Sequence, residues 1–393
     1  MRHTRLPTLA AALGALLLGL GPAGAATPPG QPKTGPGGAE YGAATVVKKA
    51  VGRASAATFV FHGSGPAPAE GRPVVVFLHG WGAVNPQVYG GWIEHLARRG
   101  YLVLFPRYQE LNRTRPADAT AIAGGLVKDA LAALANDADA RPDTVRVALV
   151  GHLAGAAIAA NLAADAVKLG IPKPKLVFAT MPGGIAKDAA SRGILLADLA
   201  AVDPATMVVT VIGDRDSRAA DVAARRLLRE TTAVPVERKL FVRALSDDHG
   251  FPTLSANLAS PAGVNTAFDG GAIKLPPDPP RDPKNPGPRF KWSADMALTG
   301  EQQTLMTQLN NARTDTLDYL AFWKSFDMAA DAAFAGRDGV SLRNDPRFTD
   351  MERWNDTWPV KRLAAETPRP HHEAAPAPTA ARAPTKLPVS RKR

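Results

Sequence analysis

Short apolar runs alternate with longer amphipathic segments through most of the chain. The run 73–80, PVVVFLHG, is apolar at every side-chain position but its end, which is typical of a strand buried on both faces of a parallel sheet. Further apolar runs cover 101–108, 145–150, 175–180, 207–213 and 236–245, and helical patterns between them cover 89–99, 119–137, 154–168 and 221–230. This alternation predicts an α/β domain with a doubly wound, mostly parallel sheet.

The same patterns divide the 393 residues into five predicted parts. These are a signal peptide (1–25), a flexible linker (26–39), the α/β domain (40–336), a C-terminal extension packed on that domain (337–365) and a disordered, basic, Pro/Ala-rich tail (366–393). The many prolines of 275–290 predict an irregular loop inside the domain. Leu317, Leu320, Trp323 and Phe326 have helical spacing, so this stripe is expected to pack on the core, with Trp354 and Trp358 beside it.

The first residues have the layout of a cleaved secretory signal. Arg2 and Arg5 precede an apolar run over residues 9–20, and small residues follow at 23–25. The run is shorter than a comfortable membrane span, so a retained anchor is the less favoured alternative. We therefore expect a secreted or periplasmic protein with no stable membrane insertion. The absence of cysteine excludes disulfides, cysteine nucleophiles and thiolate metal sites.

The formal net charge of +11 is concentrated in the tail. Residues 361–393 carry eight Lys or Arg and two Glu, and Arg2 and Arg5 precede the apolar run, so residues 6–360 hold a net charge of only +3. We therefore expect no nucleic-acid partner. A solvated tail is the favoured interpretation, and weak contact of the tail with anionic envelope polymers is the alternative. His371 and His372 lack further ligands at fixed spacing, so no metal site and no cofactor are expected.

Residues 151–155, Gly-His-Leu-Ala-Gly, lie between a predicted strand and a predicted helix. The G-x-S-x-G pattern places a nucleophilic serine on such a turn. Here Leu153 stands at the central position, and leucine has neither a proton to lose nor a lone pair for attack on a carbonyl. Residues 145–160 contain no Ser, Cys, Asp or Glu, so a shift of register supplies no nucleophile. His152 is disfavoured for that role because its position in the pattern is variable.

A dinucleotide-binding domain is the rival interpretation of this glycine-rich turn. Its fingerprint needs glycine where Leu153 stands and an acidic residue at the end of the next strand. The run 175–180, KLVFAT, ends without an acid. We therefore reject the nucleotide-binding interpretation.

Four motifs follow the chain in the order FLHGWG (77–82), GHLAG (151–155), VIGDRDS (211–217) and SDDHGFP (246–252). With them the chain resembles the secreted, bacterial-type α/β-hydrolases, the esterase- and lipase-like serine hydrolases, over roughly residues 40–330. The resemblance implies that Leu153 occupies the nucleophile position, that Asp216 is the acid and that His249 is the catalytic histidine. It also implies that the N–H groups of Trp81 and Ala154 form an oxyanion hole.

Two assignments remain open at this point. Asp214 is the alternative acid, because it shares a turn with Asp216. The function is either that of a catalytically impaired hydrolase-fold protein binding an ester-like or acyl ligand, or that of an active hydrolase with an unrecognised nucleophile or a water activated by His249. If the acid and histidine surround residue 153, Leu153→Ser is expected to give measurable turnover of activated esters.

Overall fold

One mixed sheet of nine strands organises the described part of the chain. The computed structural model describes residues 25–215, 218–278, 290–298 and 302–368, so nearly all of the predicted signal peptide, most of the proline-rich loop and the tail from residue 369 lie outside the described residues. The strands are β1 (Val46–Arg53), β2 (Ala56–Gly63), β3 (Arg72–Leu78), β4 (Leu102–Pro106), β5 (Pro142–His152), β6 (Leu176–Thr180), β7 (Met207–Gly213), β8 (Lys239–Ala244) and β9 (Ala364–Glu366).

The strand order is β1-β2-β4-β3-β5-β6-β7-β8-β9. Strands β3 to β8 pair in parallel, whereas β1, β2 and β9 pair antiparallel with their neighbours. The direction in which successive strands are added to the sheet reverses at β3, because β4 lies on one side of β3 and β5 lies on the other. Ligands of open α/β sheets bind at the carboxyl ends of strands beside such a reversal. Leu78 and Gly151 are paired there, so the ends of β3 and β5 frame the candidate site.

Helices cover both faces of the sheet. They are α1 (Gly90–Arg98), α2 (Ala119–Leu134), α3 (Ala154–Ala164), α4 (Ala166–Leu169), α5 (Arg218–Glu230), α6 (Gln302–Asn311), α7 (Lys324–Phe334), α8 (Gly339–Asn344) and α9 (Pro346–Thr349), and a π-helix over Asp318–Trp323 leads into α7. Single 3₁₀ turns occur at Pro86–Tyr89, Pro116–Asp118, Leu199–Ala201, Val236–Arg238, Thr266–Phe268, Gly270–Ala272 and Ala294–Met296. No helix in the described ranges is long and apolar enough to cross a bilayer.

The predicted alternation of strands and helices is confirmed, with differences at element ends. The predicted helix over 154–168 breaks at Asp165 into α3 and α4. The run 236–245 begins as a 3₁₀ turn after Pro235 and becomes a strand only at Lys239. The stripe of Leu317, Leu320, Trp323 and Phe326 is buried as expected. Trp354 is also buried, whereas Trp358 is 59% exposed.

The segment 26–39, expected to be a flexible linker, is hydrogen-bonded to the domain. The N–H of Gly37 donates to Oδ2 of Asp327 (2.7 Å), and the hydroxyl of Thr316 donates to the carbonyl of Pro29 (2.5 Å). Asp327 is fully buried, so its carboxylate requires such donors. The segment is therefore held by the core, although its Pro/Gly composition is typical of linkers.

The C-terminal extension lies on the same domain. Phe348, Met351 and Leu363 are buried, and β9 adds an antiparallel edge to β8. This extension passes close to the loop after β8, which determines the surroundings of His249.

Candidate functional site

The turn between β5 and α3 has the backbone of a nucleophile elbow. Leu153 has φ 54° and ψ −120°, a positive φ of the kind that holds the nucleophile in such elbows. Its N–H donates to the carbonyl of Thr180 (3.1 Å), and its carbonyl accepts from the N–H of Ala156 (3.0 Å). A non-glycine residue in such a conformation costs roughly 1–3 kcal/mol. The surrounding structure therefore holds Leu153 in the strained geometry that normally serves a nucleophile.

The two glycines of the motif are explained by close backbone approach. A Cβ atom on Gly151 would lie 2.3 Å from the carbonyl oxygen of Gly155, and one on Gly155 would lie 2.0 Å from that of Leu78. Neither contact leaves room for a methyl group. Glycine at both positions thus lets α3 start directly above the ends of β3 and β5.

The Leu153 side chain fills the space between this elbow and the turn after β3. Its Cδ1 atom lies 3.0 Å from the position of a Cβ on Gly80, and the side chain is 8% exposed. The hydroxyl of Tyr89 lies 3.3 Å from the same position. An apolar side chain therefore stands where the elbow motif normally presents a hydroxyl.

The two N–H groups expected to form an oxyanion hole belong to Trp81, in the turn after β3, and to Ala154, the residue after Leu153. The neighbouring donors are used by the fold, since the N–H of Gly80 bonds to the hydroxyl of Tyr89 (2.9 Å) and that of Gly82 to Oε1 of Gln109 (2.7 Å). Within the described ranges, neither Trp81 nor Ala154 has an acceptor for its N–H. Their expected role in an oxyanion hole remains a prediction, and the fold leaves both donors free for it.

His152 belongs to a buried hydrogen-bond chain. The Tyr89 hydroxyl lies 2.9 Å from Nδ1 of His152, and Nε2 lies 2.8 Å from the carbonyl of Leu258. Because that carbonyl can only accept, Nε2 carries the proton and Nδ1 accepts from Tyr89. Burial lowers the pKa of His152 to about 4. The imidazole is thus neutral near pH 7 and fully bonded, which suits a structural role rather than that of a nucleophile.

His79 holds the turn after β3, which faces the elbow, in place. Its ring stacks on Tyr108 at 4.1 Å between centroids, and Nδ1 donates to the carbonyl of Gly80 (2.8 Å). Burial lowers the pKa of His79 to about 4. The hydroxyl of Tyr108 donates to the carbonyl of His79, which fixes the start of the turn.

An apolar cover reaches the elbow from the segment before α7. A Cβ atom on Gly184 would lie 3.0 Å from Cδ1 of Leu298 and 3.4 Å from Cβ of Ala154, and one on Gly82 would lie 2.9 Å from Sδ of Met306. Leu298 and Met306 therefore lie over the two turns that meet at the elbow. Sequence reasoning missed this cover, because nothing in the spacing of these residues links them to the motifs.

His249 has partners in the C-terminal extension. Its Nε2 lies 2.7 Å from Oδ2 of Asp356, and its ring stacks on Trp358 at 5.4 Å and lies 5.5 Å from Trp354. Among the described residues, none of its hydrogen bonds or ring contacts is with Leu153. Sequence reasoning missed the bond between His249 and Asp356. The only signal for it was the position of Asp356 between Trp354 and Trp358.

Asp247 fixes the position of this loop. Its Oδ1 accepts from the N–H of His249 (3.1 Å), and its Oδ2 accepts from the N–H of Lys361 (2.9 Å) and Nε1 of Trp354 (3.3 Å). Burial alone would raise the pKa of Asp247, but these donors outweigh it and lower the pKa below its usual value. The loop is therefore anchored to the extension rather than left free to swing.

The acidic turn after β7 is described only in part. Asp216, the predicted acid, lies outside the described residues. Oδ1 of Asp214, the alternative, accepts from the hydroxyl of Ser246 (2.5 Å). The acid bonded to His249 is thus Asp356, while the role of Asp216 stays a prediction.

The elbow offers no free hydroxyl in the part of the chain that the structure describes. The hydroxyl of Thr180 donates to the carbonyl of Gly151 (3.1 Å), and that of Tyr89 bonds to Gly80 and His152. Burial raises the pKa of Tyr89, so its phenolate does not form near pH 7. The described residues also contain no cluster of three or more potential metal ligands.

One family model matches the part of the chain that contains the elbow. The chlorophyllase family model matches residues 51–215, a range that includes the turn after β3 and the elbow and ends before His249. The solved structure of carboxyl esterase 2 from the mycorrhizal fungus Tuber melanosporum is 16% identical, covers 52% of this chain and 79% of its own, and has a TM-score of 0.40. No curated protein matches. The sheet order, the elbow and the family match together identify an ester-hydrolase-like α/β-hydrolase fold.

Proposed function

We propose that this protein uses an α/β-hydrolase fold to bind an ester-like or acyl ligand and has lost the covalent chemistry of hydrolysis. The observation that carries the proposal is Leu153 at the elbow, with φ 54° and its side chain against Gly80. A strained elbow without a nucleophile retains the shape of the site but cannot form an acyl-enzyme.

The surroundings of His249 support the loss of chemistry. A general base must lie within hydrogen-bond reach of the proton that it removes. Nε2 of His249 is instead bonded to Asp356, on the C-terminal extension. Even a hydroxyl at position 153 would therefore need this histidine to leave its described partner.

The ligand class follows from the groups around the elbow. The unpaired N–H groups of Trp81 and Ala154 suit the oxygen of a carbonyl or carboxyl group. Leu153, Leu298 and Met306 add apolar surface that suits a hydrocarbon chain. A carbonyl attached to an acyl chain satisfies both requirements.

The proposal includes a location outside the cytoplasm. Its support is the arrangement of Arg2, Arg5 and the apolar run at 9–20, together with the absence of cysteine. Amino-terminal sequencing of the mature protein is expected to begin near Ala26. Recovery of Met1 in membrane fractions would contradict this location. Contact of the basic tail with anionic envelope polymers is a further part of the proposal.

Calorimetric titration with p-nitrophenyl butyrate tests binding while absorbance follows release of nitrophenol. We expect saturable binding without release above the buffer rate. Leu298→Gln and Met306→Gln each remove apolar contact and should weaken binding about tenfold. Val222→Gln is the matched control, since Val222 is 56% exposed on α5.

Two results would contradict the proposal in different ways. Sustained release of nitrophenol above the buffer rate would favour the active-hydrolase alternative. Absence of saturable binding, or equal binding by the cover variants and the control, would remove the elbow as a ligand site.

A further inference from the structure

A cavity lies at the opposite end of the strands from the elbow. It has a volume of about 830 Å³ and lies between α5 and the amino-terminal end of β8, beside β9. Because β5 and β8 run in the same direction, the amino-terminal end of β8 and the carboxyl end of β5 lie at opposite ends of the strands. The volume is within the range of small-molecule sites.

The cavity has an apolar floor. Leu228, Val234 and Phe241 line it, and each is almost fully buried. Val236 adds a further aliphatic side chain at the turn before β8. A hydrocarbon chain on this surface would replace water against apolar atoms, which is favourable.

Two positively charged side chains, Lys239 and Arg229, line the cavity beside this floor. Lys239 lines the cavity and is 9% exposed, and no carboxylate of the described residues lies within ion-pair distance of its ammonium group. Burial lowers its pKa, as expected for a cation without a paired carboxylate. Arg229 also lines the cavity and has no ion-pair partner in the described ranges. The site thus holds two uncompensated cations.

The lining carboxylate does not neutralise these cations. Glu366 lies 3.7 Å from Arg225, and Arg225 also bonds to Asp221 at 3.0 Å. The guanidinium of Arg225 covers the ring of Phe241, with 4.2 Å between Cζ and the ring centroid. Glu366 is therefore engaged by Arg225 and not by Lys239 or Arg229, so the charge near these two residues stays positive.

We infer that this cavity binds an amphipathic carboxylate, with the anionic head at Lys239 and Arg229 and the alkyl chain on Leu228, Val234 and Phe241. The chain's own tail is a poor occupant, although it follows Pro368 at the cavity. Residues 369–393 carry six Lys or Arg and one Glu, so the cations of the cavity would repel them. A small amphipathic acid matches both the charge and the apolar floor. This inference is independent of the proposed ligand at the elbow.

Titration calorimetry with sodium octanoate on the full chain tests the inference, with sodium acetate and 1-octanol as probes that lack the chain or the charge. We expect saturable octanoate binding, and binding at least about tenfold weaker for the other two probes. Lys239→Gln and Arg229→Gln should each weaken octanoate binding about tenfold. Arg218→Gln on the exposed side of α5 is the matched control and should bind as the unchanged protein does.

Arg229→Gln alters an exposed helical side chain, so it preserves the test if Lys239→Gln fails to fold. Equal binding of octanol and octanoate would overturn the inference, because the cations would then have no role. It would also be overturned by binding that Arg229→Gln leaves unchanged, or by no saturable octanoate binding. Octanoate also has the carboxyl group and the chain proposed for the elbow, so a second binding step is expected there. Leu298→Gln should weaken only that second step and leave the step that Arg229→Gln weakens unchanged, which separates the two sites.

Discussion

Leu153 and Gly80 meet across the gap where β3 and β5 end, with Cδ1 of the leucine 3.0 Å from the position of a Cβ on the glycine. In a hydrolase of this fold, the same gap receives the attacking hydroxyl and the carbonyl under attack. The leucine fills part of that space and supplies no chemistry. The free N–H groups of Trp81 and Ala154 remain at its edges.

Leu153→Ser tests whether chemistry can be restored at the elbow. From the sequence alone we expected measurable ester turnover, on the premise that His249 faces residue 153. The bond between His249 and Asp356 changes this expectation, because the new hydroxyl lacks a base in reach. We now predict that Leu153→Ser hydrolyses p-nitrophenyl butyrate no faster than the double variant Leu153→Ser/His249→Ala. An excess of about 10²-fold or more in the single variant would show that His249 activates the hydroxyl.

Gly155→Ala tests the close approach of α3 to β3. The added methyl would lie 2.0 Å from the carbonyl oxygen of Leu78, and neither backbone can move without disturbing the sheet. We predict a loss of at least about 3 kcal/mol in the free energy of unfolding, measured by urea denaturation. The matched control is Gly125→Ala on α2, where a Cβ meets nothing within 4 Å. It should stabilise the protein by up to about 1 kcal/mol, and equal effects of both changes would refute the packing argument.

The strands at the sheet centre and the elbow were predictable from sequence because local patterns determine them. Runs such as 73–80 are apolar on both faces, and the glycine spacing at 151–155 marks the turn. The antiparallel hairpin β1–β2 was not predicted, since Lys48 and Lys49 interrupt its apolar pattern at the sheet edge. β9 is only three residues long and carries no strand pattern of its own.

The partner of His249 could not be found from sequence because it depends on distant packing. Asp356 lies 107 residues further along the chain, and the loop meets it only because Asp247 is anchored to Lys361 and Trp354. The family pattern predicted Asp216 instead, on chain order alone. The packing of residues 26–39 could not be predicted from sequence for the same reason. The buried carboxylate of Asp327 lies 290 residues along the chain from its donor Gly37.

His79 should make the protein less stable in acid. Its pKa is about 4 in the folded state against 6.5 for the free side chain, so the unfolded chain binds the proton more strongly. Stability from this residue is therefore complete above pH 6.5 and is lost as the pH falls toward 4, by about 3 kcal/mol in total. His79→Phe keeps a ring beside Tyr108 and removes the titration. Urea denaturation from pH 7 to pH 4 should show the unchanged protein losing stability relative to the variant, and a constant difference would contradict this cause.

His249→Gln distinguishes Asp356 from Asp216 as the partner of the histidine. The hydrogen bond from His249 is the main reason that the pKa of Asp356 lies below its usual value. Loss of that bond should raise the pKa of Asp356 toward the ordinary value, as followed by carbon NMR of labelled carboxyl groups. If the pKa of Asp216 rises instead while that of Asp356 is unchanged, the assignment from the family pattern is the correct one.

The central claim is that the unchanged protein binds at an elbow that cannot form a covalent intermediate. A fluorophosphonate probe reacts with activated serine nucleophiles, and intact mass spectrometry detects the adduct directly. With an active serine esterase as the positive control, we predict no mass shift for this protein after equal exposure, because Leu153 has no group to react. Stoichiometric labelling of one residue would contradict the account and identify the nucleophile of an active hydrolase.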